Sequence, residues 1–167
     1  RTVAGVGGGS DIEWNVGMGL PDGMNAYASY SPLPDGSKNS NKGVSGAISE
    51  DVVGQGWDVI VTHSGLADGL NVFAGWSETD QTSNIGDRTA RLAGATYAIG
   101  SLTVGYQWSK DNNVGVGSYY ENQAYGISFA VNDNLSISYG NHESERHHEG
   151  GGLTTTLEGT SIQLAYT

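Results

Sequence analysis

Residues 124–141, AYGISFAVNDNLSISYGN, limit the possible folds more than any other stretch of the chain. Tyr125, Ile127, Phe129 and Val131 alternate with Gly126, Ser128 and Ala130. After Asn132-Asp133-Asn134, Leu135, Ile137 and Tyr139 alternate with Ser136, Ser138 and Gly140. A period of two is that of a β-strand, whose side chains point to opposite faces in turn, so the large residues share one face of a hairpin. Asn and Asp tolerate the left-handed backbone that a tight reversal needs. The other face carries Gly, Ser and Ala, whereas the wet face of a soluble sheet ordinarily carries Lys, Glu and Thr.

The alternation recurs along the whole chain. Strands are expected over residues 12–18, 24–30, 57–62, 70–77, 88–99, 102–108, 124–131, 135–139 and 162–166, nine in all. Short connections near residues 22, 66, 100 and 133 alternate with long ones over 31–55, 78–86, 110–118 and 141–158. Up-and-down barrels of the bacterial outer membrane have this asymmetry, with short turns at one end and long loops at the other. The expected fold is therefore all-β, an antiparallel up-and-down transmembrane barrel in a single domain over residues 1–167.

Composition narrows the alternatives. Charged residues make up 15% of the chain, against ~25% in ordinary soluble domains. The 27 glycines disfavour long helices. A net charge of −11 argues against a nucleic-acid partner, which needs a basic surface. Cysteine is absent, so neither a disulfide framework nor a thiolate metal site is available. No apolar run approaches the ~20 residues of a membrane helix, which leaves a membrane barrel open.

With the large apolar face turned to lipid, the opposite face becomes the wall of a water-filled lumen. The expected pore-lining residues are Glu13, Asn15, Asn25, Tyr27, Asp58, Thr62, Asn71, Arg88, Thr96, Thr103, Gln107, Ser128, Ser136, Ser138 and Gln163. Ser29, Ser77, Ser109 and Ser161 fall on the same face. Neutral hydrogen-bonding groups let small polar solutes pass without a deep binding well. The acidic excess implies a mild preference for cations. On the lipid face the long-loop ends carry Trp14, Tyr30, Trp57, Trp76, Trp108 and Tyr139, and the short-turn ends carry Tyr97, Phe129 and Tyr166. Two belts of amphipathic rings belong at the two membrane interfaces.

The runs AYGISFAVNDNLSISYGNHES, NVFAGW, GDRTARLAGATYAIGSLTVGYQWS and SIQLAYT make the chain resemble the general diffusion porins of Gram-negative bacteria, of the alphaproteobacterial type found in marine members. The likeness covers essentially the whole chain, but its motifs are patterned rather than catalytic. It implies an outer-membrane location, lipid contact, a homotrimer, passage of small hydrophilic solutes and ions, and no cofactor. Barrels of that kind have 16–18 strands and end in an aromatic residue. Nine strands cannot close an even-numbered barrel, and Tyr166-Thr167 is followed by no closing strand. The expectation is therefore a partial barrel, an internal or C-terminally truncated portion with about nine strands of a larger, 16-stranded one. It lacks the first strands, the last strands and the family's inward-folded constriction loop, whose residues match no position here.

Residues 141–150, NHESERHHEG, offer His142, His147 and His148 beside Glu143, Glu145, Glu149 and Arg146. That set could hold a divalent metal, but a solvated extracellular loop is the reading adopted, with no metal site assigned. No nucleophile elbow or ordered triad is present, and no enzyme is expected. Two rivals remain: a small non-conducting outer-membrane barrel whose loops serve binding or adhesion, and a soluble lipocalin-like carrier.

Overall fold

The computed structural model describes residues 12–16, 20–31, 53–81, 87–112, 118–148, 152 and 154–166. Its strands are β1 (Ile12–Val16), β2 (Met24–Ser31), β3 (Val53–His63), β4 (Leu70–Gln81), β5 (Arg88–Ile99), β6 (Leu102–Asn112), β7 (Ser118–Asn132), β8 (Leu135–His148) and β9 (Thr155–Tyr166). They form one nine-stranded sheet in chain order, each strand antiparallel to the next. The described sheet is not closed, because β1 and β9 are its two edges. Those two strands run in the same direction, so they could not pair antiparallel with each other. Among the described residues no helix is long and apolar enough to cross a membrane, which says nothing of crossing by strands.

The short connections are where the sequence puts them. Gly23, Gly69 and Gly100 have φ of 79°, 75° and 58°, a region that favours glycine. At Gly69 a side chain is excluded twice over, since an added Cβ would lie 2.2 Å from the carbonyl oxygen of Ala98. Neighbouring turns are laced together by backbone bonds, Ser64 N–H to Gly23 O, Ala98 N–H to Gly69 O and Ala130 N–H to Ser101 O, each 2.9 Å. In the last turn the Asn132 side chain accepts from the Asn134 N–H at 2.9 Å, and the pairing register shifts between Ala130 and Asn132.

Several strands are longer than the alternation implies, chiefly at the long-loop end. β3 starts inside the expected loop 31–55, β4 runs to Gln81 and β6 to Asn112, and β7 starts at Ser118. β8 continues to His148 and β9 starts at Thr155, so most of the expected loop 141–158 is strand. The reason is physical: these extensions are polar on both faces, and a backbone ladder needs no hydropathy contrast to persist. The alternation marks an apolar band, not the extent of pairing. The expected strand positions 17–18 and the central parts of the long loops lie outside the described residues.

This sheet has almost no core. Among the described residues Ala90 is the one buried hydrophobic side chain, while Asp58, Ser77, Arg88 and Ser118 are buried. Ile127, Phe129, Ile137 and Tyr139 are 40–46% exposed, and Ile162, Leu164 and Tyr166 on the β9 edge are 70–78% exposed. Ordinary domains bury such residues.

Candidate functional site

The strand registers place the expected wall residues on a common face. Glu13, Ser29, Asp58 and Ser77 are successive partners across β1–β4. Asn15 pairs with Tyr27, and Asn25 with Thr62. Asn71 pairs with Thr96. Thr103, Ser128, Ser138 and Gln163 form an unbroken row over β6–β9. Gln107 pairs with Ala124, and Ser136 with Ala130. Every aromatic assigned to the belts stands on the other face. Tyr30 pairs with Trp57, Trp14 with Ala28, and Trp76 with Val59. Trp108 pairs with Ala93, Tyr97 with Val104, Phe129 with Ile137, Tyr139 with Ile127, and Tyr166 with Leu135.

The polar face has two halves. Over β2–β6 it holds two polar contacts: Ser29 Oγ donates to Asp58 Oδ2 at 2.6 Å, and Arg88 forms a bidentate ion pair with Asp111, its Nε at 2.9 Å from Oδ1. Arg88 and Asp58 were expected to face open water, but they are only 5% and 7% exposed. Among the described residues Arg88 Nη1 has no hydrogen-bond partner. Asp111 lies in the expected loop 110–118 and was missed for that reason. Bulky Tyr27, Ile60, Phe73 and Leu92 share this half, with Ile60 and Leu92 flanking Gly75 in one row. Phe73 lies over Gly94, where an added Cβ would come within 2.5 Å of its Cζ.

Over β6–β9 the same face has one row without large side chains. Gly105, Gly126 and Gly140 are direct partners on three adjacent strands, continued by Ser161. Gly105 and Gly126 line an open groove of about 350 Å³ bordered by Phe73, Gln107, Thr103 and Ser128. His142 settles on Gly159, where an added Cβ would meet its ring at 2.7 Å.

Charge is divided unequally between the faces. On the polar face the described strands β2–β9 carry Asp58 and Asp111 against Arg88 and Arg146. The acidic excess stands on the other face, beyond the apolar residues: Glu78, Asp80, Glu121, Glu143, Glu145 and Glu158, against Arg91 and Lys110. Glu78, Asp80 and Asp87 have oxygens within 4.8 Å of one another and are the described group best able to hold a cation. The histidine segment does not converge. His147 stacks on Tyr119 at 4.5 Å and meets Glu145 at 3.1 Å, whereas His148, on the opposite face, meets Ser118 Oγ at 3.0 Å.

The apolar face ends along a slope. The row starting at Tyr30, the last aromatic of β2, runs through Trp57, Glu78, Thr89, Asn112 and Tyr119 to His147 on β8. The last large apolar residue of β8 is Tyr139, eight residues short of His147 along the strand. Between those strands the boundary passes Trp76, Trp108 and Tyr125, falling in steps. Eight residues are roughly 27 Å of strand, and six strand spacings roughly 29 Å, so the boundary is inclined by about 40° to the rows. The lower edge is inclined the same way: the row of Met24, where β2 begins, reaches β8 at Asn141, six residues above Leu135.

Along that upper boundary three aromatic side chains donate in one direction. Tyr30 Oη donates to Gln55 Oε1 at 2.8 Å, Tyr106 Oη to Gln123 Oε1 at 3.2 Å, and Trp108 Nε1 to Glu121 Oε1 at 2.9 Å. Each acceptor is on the neighbouring strand, one outward position nearer the long loops. Tyr106 and Tyr125, direct partners, belong to this boundary and were not among the expected belt residues. No protein-family model matches the chain, and no curated protein matches it.

Proposed function

We propose that the chain forms part of an outer-membrane β-barrel of the porin type, a water-filled path for passive diffusion of small hydrophilic solutes and ions. The observation that carries this reading is the sloping apolar band. A slab of lipid has two parallel surfaces, and the strands of a membrane barrel cross it at 35–45°, so the lipid-facing residues must shift along the register from strand to strand. The band on this sheet shifts by about 40° at its upper edge. Tilt is shared by closed barrels in general; here the inclined band consists of exposed large apolar residues, which lipid would cover. The oriented Tyr and Trp donors fit the same picture, with rings on the apolar side and polar tips toward water.

Conduction, rather than a filled barrel serving adhesion, is favoured by the in-register glycines Gly105, Gly126 and Gly140, which leave that part of the wall without side chains. Because the wall over β2–β9 carries two carboxylates, Asp58 and Asp111, against two guanidinium groups, Arg88 and Arg146, the cation preference we assign is weak. No catalysis and no cofactor belong to this function. A homotrimer in the outer membrane of a Gram-negative bacterium is part of the proposal. The test is conductance across a planar bilayer: stepwise, ohmic openings with weak ion selectivity are expected, and the absence of conductance from correctly inserted protein would favour the non-conducting barrel.

A further inference from the structure

Arg91 and Lys110 are direct cross-strand partners on the apolar face of β5 and β6. Like charges so placed repel each other, and a folded sheet normally avoids the arrangement. It is odder in a chain with 7 basic and 18 acidic residues. The pair stands one outward position beyond Ala93 and Trp108, where the apolar band ends on these two strands, and Arg91 is itself the partner of Trp76.

No described carboxylate is in ion-pair contact with either cation. Among the described residues, the ion pairs are Arg88 with Asp111 and His147 with Glu145. Glu121, the partner of Lys110 on β7, accepts the Trp108 indole N–H at 2.9 Å. The Lys110 ammonium lies over the Tyr119 ring at 4.0 Å, and Arg91 is exposed. Two cations thus sit side by side at the edge of the band, between Trp76 and Trp108, and among the described residues neither forms an ion pair. A planar guanidinium and an ammonium together offer the donors that a phosphate monoester or diester takes.

We propose that Arg91 and Lys110 form a docking site for the phosphate headgroup of a lipid in the leaflet that surrounds the long-loop end of the barrel. The inference rests on the reading of this face as lipid-facing, and it deepens that reading by naming the headgroup chemistry and the place where it binds. Although acids surround the pair on this face, the adjacent guanidinium and ammonium donors select a phosphate group, and the position at the boundary selects a lipid over a free ion. The acyl chains run down the band past Ala93, Ala95 and Tyr106, while Trp76 and Trp108 flank the head.

The experiment is native mass spectrometry of the protein released from vesicles containing a bis-phosphorylated lipid A, with the same lipid stripped of phosphate as control. The wild-type protein retains the phosphorylated lipid, and the double variant R91Q/K110Q loses it roughly thirtyfold, since each basic residue near an anionic lipid surface contributes about fivefold. The charge-preserving variant R91K/K110R retains it, and R146Q, on the polar face, has no effect. Millimolar inorganic phosphate does not displace it; displacement would assign the site to a free ion and overturn the proposal. Equal retention by R91Q/K110Q overturns it as well. Quenching of tryptophan fluorescence by brominated acyl chains is read on the same samples. Quenching without phosphate-dependent retention removes this site alone, and no quenching in the wild-type protein removes the lipid-facing reading with it.

Discussion

Trp108 on β6 donates its indole N–H to the Glu121 carboxylate on β7, 2.9 Å away and one outward position nearer the long loops. The bond spans the boundary between the apolar band and the charged strand extensions, tying a ring on one side to a charge on the other. Trp108→Phe keeps most of the apolar surface and removes the donor. In lipid vesicles it is expected to lower stability to urea by about 1 kcal/mol, the usual net value of one hydrogen bond. Glu121→Gln, which still accepts, is expected to cost less than that. A larger loss for Glu121→Gln than for Trp108→Phe would contradict the role assigned to the bond.

Adjacent residues on β7 should respond oppositely to charge. Ile127 lies on the apolar face and Ser128 on the polar one, within the same turn-proximal half of the strand. Ile127→Lys is expected to destabilise the inserted protein by about 2–4 kcal/mol, as for cations placed near the middle of a bilayer. Ser128→Lys is expected to leave stability within about 0.5 kcal/mol and to shift ion selectivity toward anions. Urea titration in vesicles and reversal potentials across a planar bilayer measure the two effects. Similar destabilisation by both would contradict the assignment of faces.

Arg88 and Asp111 form a mostly buried pair on the polar face. Removing one partner leaves the other charge uncompensated, so Asp111→Asn and Arg88→Met are each expected to cost about 3–5 kcal/mol. The double variant is expected to cost less than the sum of the two, and a double-mutant cycle measures the difference. Additive losses would show that the two groups act independently.

Bilayer thickness is a further handle. The apolar run Leu70–Trp76 on β4 is seven residues, roughly 24 Å of strand, or roughly 18 Å of height at an inclination of about 40°. That is shorter than the ~25 Å apolar band of typical outer-membrane barrels, so the protein should insert faster and resist urea better in short-chain phosphatidylcholine than in long-chain bilayers. Greater stability in the thicker membrane would contradict the extent assigned to the band.

Strand number, order and the positions of the short turns were readable from the alternation and from Gly23, Gly69, Gly100 and the Asn-Asp-Asn turn, because each reports a local backbone requirement. Strand ends at the long loops were not, because Glu78, Lys110 and Glu143 lie on ladder positions where both faces are polar. For the same reason residues 141–148 read as a loop, although alternation in the strand separates His147 from His148. The face of each wall residue was legible from its parity alone. Its accessibility was not: Arg88 and Asp58 are buried by neighbours distant in sequence, and Asp111 could be matched to Arg88 only through the register of β5 and β6. The inclination of the apolar band was hidden for the same reason, since it appears only when the registers of successive strands are laid side by side.

The most direct test of the central claim uses the absence of cysteine, which makes single-cysteine variants clean. Nitroxide labels at positions 124–131 of β7, in protein reconstituted into bilayers, would be read for collision with oxygen, which concentrates in lipid, and with a water-soluble nickel chelate. The account predicts oxygen contact at 125, 127, 129 and 131 and chelate contact at 124, 126, 128 and 130. Odd-numbered positions shielded from both reagents would mean a protein core on that side, and would contradict it.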